Sequence, residues 1–311
     1  MTKKYKVLIT GSKGMLGSAC NKLMKNEYKV LTPTKKELNL DNFKKLKEYF
    51  KKNKPDFVIN CAAKVGGILS NLNNQVEFVN ANVIIQKNIF EICKDFKVKK
   101  LIFIGSTCIY PKNPKLPIKE NSLLEGQLEP SNEGYALTKI LGLKLAKFYY
   151  EEHGLNTVCP MLCNIYGTND YFDEKKSHVL SALVKKIVDA KKNNKKKLKM
   201  IGTGNAVREF MHVDDAARGI VFFLRKVHTY KHINLGTGEY ISIKNLVKLI
   251  KKIINYKGKI IWEKNSKFDG MKAKYSDVSK IKKLGFKSIV PLEIGVKKTI
   301  EEYKNIVGIL D

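Results

Sequence analysis

Apolar residues in this chain arrive in short runs separated by longer amphipathic stretches. Tyr5–Thr10, Tyr28–Thr32, Asp56–Cys61 and Lys100–Gly105 are brief, rich in Val, Ile, Leu and Phe, and bounded by Gly, Pro or polar residues, so each reads as a buried strand. Between them, the stretch ending at Asn26 and those at 38–53, 73–96 and 131–153 carry apolar residues at helical spacing with lysines on the other face. A polar loop at 112–130, holding Pro114, Pro117 and Pro130, precedes the last of these helices. Strand and helix alternating in this way predict an α/β fold, a doubly wound parallel sheet built mainly from residues 1–165.

The first strand runs directly into Gly11-Ser12-Lys13-Gly14-Met15-Leu16-Gly17 and then into a helix. A glycine-rich turn at that junction is suited to a pyrophosphate. Gly11 allows the tight turn, Gly14 lets backbone approach the phosphates, Gly17 lets helix pack on sheet, and the helix N-terminus offers unpaired N–H groups. A dinucleotide is therefore expected across the carboxyl end of strand one, where the small residues of Ala62-Ala63-Lys64-Val65-Gly66-Gly67, beyond strand three, leave room for it. Strand two ends in Thr32-Pro33-Thr34-Lys35-Lys36, where an NAD site would place an acid for the ribose hydroxyl. Lys13 and Lys35 together suit a 2′-phosphate, which predicts NADP(H), although Glu37 lies close by.

Composition narrows the classes. A chain of 311 residues with 43% hydrophobic content can bury a large core, no apolar run is long enough to span a bilayer, and no signal peptide is evident, so a soluble cytoplasmic protein is expected. Six scattered cysteines without CxxC pairs suggest neither a disulfide framework nor a metal site. The net charge of +30 invites a nucleic-acid reading, but of 59 basic residues only Arg208, Arg218 and Arg225 are arginine. Base readers favour the guanidinium fork, and the lysines sit in pairs on amphipathic helices, so a solvated face that also attracts an anionic substrate is the simpler reading. An arginine at 208 in so lysine-biased a chain suits the grip of a diphosphate.

Strand four ends at Ser106-Thr107-Cys108, which puts Ser106 and Cys108 beside the expected cofactor. Tyr135 and Lys139 lie one helical turn apart, and a neighbouring ammonium is expected to lower the phenol pKa and fit it to pass a proton to a carbonyl oxygen.

Gly11-x-x-Gly14-x-x-Gly17, Ser106 and Tyr135-x-x-x-Lys139, in this order, resemble the extended short-chain dehydrogenase/reductases that act on nucleotide sugars. The segments 11–19, 62–68, 105–111, Asn164-Ile-Tyr-Gly167, Ser177-His178-Val179 and Arg208–Asp215 extend the resemblance, over nearly the whole chain, to the GDP-L-fucose synthase family. It implies epimerisation of a GDP-linked 4-keto-6-deoxy sugar at C3 and C5, then NADPH-dependent reduction at C4. Tyr135 would donate the proton, Lys139 would orient the nicotinamide ribose, Ser106 would bind the ketone, and Cys108 and His178 would be epimerisation base and acid. Cofactor contacts would include Ser12, Lys13, Met15, Leu16, Lys35, Asp41, Ala62, Ala63, Lys64, Lys139 and His178. The sugar nucleotide would meet Asn164, Ser177, Val179, Lys185, Ile201, Arg208 and Lys274. Residues 166–211 and 236–311 would form a smaller α/β cap, with about 212–235 returning to the Rossmann-like first domain, and the helices at 73–96 and 131–153 would form a homodimer.

The chain also departs from that family. Ile201 stands where its members carry Trp, Leu162-Cys163 replaces Pro-Thr, and Asp269-Gly-Met-Lys-Ala-Lys274 keeps only the final lysine of Asp-Gly-Thr-Pro-Arg-Lys. Three other readings follow. A 4,6-dehydratase would need an acid after Ser-Thr, where this chain has Cys108-Ile109. A C4 reductase without epimerisation, or one acting on a larger sugar such as a heptose, fits the departures. A non-enzymatic NADP-binding or nucleic-acid-binding module would have no need of Ser106, Tyr135 and Lys139 together.

Overall fold

The computed structural model describes residues 4–173, 177–263 and 270–309; Asp269 lies outside them. In chain order the first part comprises β1 (Lys6–Thr10), α1 (Met15–Met24), β2 (Lys29–Leu31), α2 (Phe43–Asn53), β3 (Phe57–Asn60), α3 (Ile68–Asn73), α4 (Gln75–Asp95), β4 (Lys100–Phe103), β5 (Gly105–Ser106), α5 (Glu133–His153), β6 (Thr157–Val158) and β7 (Pro160–Leu162). There follow β8 (Asn164–Tyr166), α6 (Val179–Lys192), β9 (Lys197–Met200), β10 (Val207–Arg208), β11 (Phe210–His212), α7 (Val213–Lys226), β12 (Ile233–Leu235), β13 (Ile241–Ser242), α8 (Ile243–Ile253), β14 (Lys259–Trp262), β15 (Ala273–Lys274), α9 (Ser279–Lys283) and α10 (Leu292–Ile306).

Five parallel strands pair in the order β2-β1-β3-β4-β6, and β5, β7 and β12 continue the parallel pairing beyond one-residue steps at Ile104 and Cys159. Because side chains alternate along a strand, Val7 and Ile9 face one way and Leu8 the other. The first face packs with Leu16, Cys20, Met24, Ile220 and Phe223 of α1 and α7, and the second with Leu46, Phe50, Ile89, Phe90 and Leu143 of α2, α4 and α5. The chain leaves β1 toward β2 and then returns to the other side at β3, so the switch point, where such sheets bind ligands, lies between β1 and β3.

The helical stretches are cut where local chemistry demands it. Leu38 and Leu40 are pulled into the core as loop residues, and helix begins only after Asn42, whose side chain accepts the Lys45 N–H. The stretch 73–96 forms one helix, α4, which starts at Gln75; Asn74, with φ −134°, separates it from the short α3, which the pattern did not predict. The fourth strand breaks at Ile104, whose carbonyl accepts the Lys139 ammonium at 2.7 Å.

A third apolar cluster joins Leu180, Val184 and Ile187 of α6 to Leu246 and Ile250 of α8 and Val296 and Ile300 of α10. Beside it β10 lies between β13 and β15, and β14 pairs with β9. By contrast α7 packs with α1, and β12 pairs with β7 of the large sheet.

Candidate active site

Two of the three glycines in the turn are required by the chain itself. Gly11 has φ 64°, and a Cβ there would fall 2.9 Å from backbone atoms of Cys61 and Ala62; one on Gly17 would fall 2.3 Å from the Gly11 carbonyl oxygen. A Cβ on Gly14 would meet nothing nearer than 3.4 Å. Gly14 thus presents an uncovered face, at the start of a helix that no side chain caps, which fits the close approach of a pyrophosphate. Ser12, Met15 and Leu16 line the same cavity, of about 1290 Å³, at the switch point.

Exposed Lys13, Lys35 and Asp41 lie on its wall. Glu37 does not: its carboxylate accepts the Thr34 N–H at 2.7 Å, capping its own turn. Ala62, Ala63 and Lys64 line the cavity as well. Buried Asn82 fixes that loop by accepting from the Lys64 N–H and donating to its carbonyl, while the Lys64 ammonium pairs with Glu77.

Ser106, Cys108, Tyr135, Lys139 and His178 line this cavity too. Their supports are local. The Ser106 hydroxyl accepts the Cys108 N–H at 3.3 Å; Gln75 accepts the Gly134 N–H at the start of α5; and Gly142 lets that helix lie on the Phe103 ring, which a Cβ would approach within 2.1 Å. Contrary to the expected lowering by Lys139, the Tyr135 pKa is raised. Burial pushes the phenol up and the ammonium down, to about 8. The Lys139 charge is directed at the Ile104 carbonyl and stands 5.5 Å from the Tyr135 ring centroid. Water exclusion raises the phenol, and the neighbouring Cys108 adds to the rise. Burial also raises the Cys108 thiol, opposed by Lys274, the Ser106 hydroxyl and Lys139.

Asn164, Ser177, Val179, Ile201, Arg208 and Lys274 share the cavity wall. Asn164 donates to the Glu209 carbonyl and Ser177 to that of Tyr171. Arg208 and Lys274 are register partners on β10 and β15. Two cations side by side repel, an arrangement suited to an anion between them. Lys185 does not reach the cavity. Its ammonium is 3.0 Å from both Asp189 and the Tyr303 hydroxyl, and its neighbour Lys186 lines the wall instead. A helix turns about 100° per residue, so a one-residue difference in position changes the face.

Sequence reasoning missed Asp170, Glu129, Asn132 and Trp262, all on the wall. Asp170 is buried, accepts from Ser181 and the Tyr171 N–H, and its carboxyl is raised by burial and lowered by the nearby His178. Glu129 Oε2 and Asn132 Oδ1 are buried without a hydrogen-bond partner among the described residues, acceptors suited to a hydroxyl-rich ligand. A single carboxylate or amide in a polar loop carries no periodic signal. Trp262 carried a signal of another kind, as the sole tryptophan of the chain.

A model of the NAD dependent epimerase/dehydratase family matches residues 7–236. The chain belongs to this family. It is 39% identical over 310 residues to probable GDP-L-fucose synthase 1 of Oryza sativa subsp. japonica, covering 98% of this chain and 94% of that one. It is 38% identical over 305 residues to GDP-L-colitose synthase of Yersinia pseudotuberculosis, covering 96% of this chain and 98% of that one. Among solved structures, a GDP-mannoheptose C4 reductase from Campylobacter jejuni with NADP bound superimposes with a TM-score of 0.88 at 31% identity, covering 98% of this chain and 99% of that one. The extended short-chain dehydrogenase/reductase fold expected from the motifs is the fold observed.

Proposed function

We propose that this protein is an NADPH-dependent epimerase/reductase of a GDP-linked 4-keto sugar, of the GDP-L-fucose synthase type. The observation that carries it is one continuous cavity joining the glycine turn, the Ser106–Tyr135–Lys139 set, Cys108 with His178, and the Arg208–Lys274 pair. NADPH, when bound, supplies the hydride for C4. Tyr135 hands a proton to the C4 oxygen, Ser106 holds that oxygen, and Lys139 orients the ribose beside it. Before reduction, Cys108 and His178 remove and return protons on the carbons flanking the ketone, where the carbonyl acidifies the C–H bonds. Burial raises the Cys108 thiol, and the cations at Lys274 and Lys139 oppose that rise toward the thiolate this requires. Lys13 and Lys35 suit the 2′-phosphate, and Arg208 with Lys274 the diphosphate.

In this reading residues 1–165 with about 212–235 hold the cofactor, and 166–211 with 236–311 hold the sugar nucleotide. A cytoplasmic location suits the six free cysteines; among the described residues no helix is long and apolar enough to cross a membrane. A homodimer is supported by exposed Val76 and Ile84 on α4 and Leu137, Leu141 and Phe148 on the adjoining α5.

A second reading, C4 reduction without epimerisation, is favoured by the changed wall at Ile201, Leu162, Cys163 and Met271. One experiment separates the two. A panel of GDP- and other nucleotide-linked 4-keto sugars is offered with NADPH in deuterated water, and absorbance loss and product NMR are followed. Expected are oxidation of NADPH and deuterium at C3 and C5, with the deuterium lost in Cys108→Ser while C4 reduction survives. Protium retained at both carbons assigns the C4 reductase alone, and no oxidation with any sugar rejects both.

A further inference from the structure

The sole tryptophan, Trp262, ends β14 and is the register partner of Met200, the last residue of β9. It stands half-buried on the cavity wall with Ile201, Gly204, Ala206 and Ile243. Gly204 adopts φ 76°, and a Cβ there would lie 2.8 Å from both Cη2 and Cζ2 of the indole and 3.0 Å from Cε2. Nearly equal distances to three consecutive ring atoms mean that the glycine meets the ring plane. An approach to the edge would give graded distances. The backbone therefore backs one face of the indole, and any side chain at 204 would displace it. Ile201, 59% exposed, adds apolar surface beside the ring.

The position along the cavity matters as much as the chemistry. Ala206 lies two residues from Arg208, at most about 7 Å of extended chain, and Gly204 four residues, at most about 14 Å. A flat apolar platform held against Gly204 is therefore within reach of a nucleobase whose diphosphate the paired cations hold. We propose that Trp262, backed by Gly204, is the platform on which the nucleobase of the sugar nucleotide stacks. This deepens the sugar-nucleotide reading and rests on it. The aromatic absent at position 201 is in effect supplied from the neighbouring strand.

With one tryptophan, indole emission reports this position alone. GDP is titrated into the cofactor-free protein while emission is followed, and calorimetry is run in parallel with GDP and with inorganic pyrophosphate. Expected are a saturable change in emission at the calorimetric midpoint and a loss of GDP affinity in Trp262→Leu of roughly 5- to 150-fold, the range for removing an aromatic from beneath a base. Trp262→Phe keeps most of the affinity, and pyrophosphate and NADPH bind all three proteins alike. If GDP binds by calorimetry with unchanged emission and undiminished affinity in Trp262→Leu, the platform is refuted while the sugar-nucleotide reading stands. A pyrophosphate affinity that falls as far as that for GDP also refutes it, because the damage would then not involve the base. No binding of GDP to the unaltered protein rejects the sugar-nucleotide reading, and the platform with it.

Discussion

At the scale of the residue, Lys139 shows how burial and function oppose each other. Its ammonium is held in a water-poor wall by one carbonyl and by the faces of Phe103 and Tyr135, at 5.0 and 5.5 Å. Desolvation pushes its pKa to about 8, below the ordinary 10.5. Between these values the unfolded chain binds the additional proton, so this group makes stability rise with pH across that window and cost stability below it. The full effect is on the order of 3 kcal/mol at 1.36 kcal/mol per pKa unit. Chemical denaturation of the cofactor-free protein and of Lys139→Met from pH 7 to 10.5 checks this: the unaltered protein should gain on the variant as pH rises through 8. A constant difference between the two would show that Lys139 titrates as it does in water.

At the scale of the element, the turn between β1 and α1 separates what folding needs from what binding needs. Gly17→Ala would place a methyl 2.3 Å from the Gly11 carbonyl oxygen, forcing helix and strand apart, with an expected loss of about 1–3 kcal/mol in stability and of cofactor binding. Gly14→Ala meets no such contact, so the melting temperature should hold while NADPH affinity falls at least about tenfold, because the methyl occupies the phosphate approach. Thermal unfolding and NADPH titration of the two variants decide it. A Gly14→Ala protein that binds NADPH normally would mean that the pyrophosphate does not run along this turn. The same turn was legible in the sequence because its residues are neighbours in the chain. The short helix α3 was not, since its six residues are too few to show a helical period.

At the scale of the whole molecule, both helices of the α4–α5 pair carry exposed apolar side chains. Leu137, Leu141 and Phe148 recur at spacings of four and seven, and Val76 and Ile84 at eight, so each set lies along one side of its helix. Phe90 and Tyr149 hold the two helices together, with ring centroids 5.5 Å apart. Pairing of two such faces would leave each cavity within its own chain. The double variant Leu141→Glu, Phe148→Glu should therefore sediment as a monomer and retain turnover, and unchanged sedimentation would exclude this face as the contact. By itself the sequence determined the strand–helix alternation, the glycine turn, the order Ser106, Tyr135, Lys139 and the family, because each is written in residues close together or in a pattern the backbone period enforces. Tertiary structure decided the rest: that Lys186 rather than Lys185 faces the cavity, that Lys274 stands beside Arg208 and near Cys108, that Trp262 joins the wall at Gly204, and that the Tyr135 phenol is raised rather than lowered. Each of these depends on which distant segments meet and on how much water their meeting expels, and neither quantity is carried by any short stretch of chain.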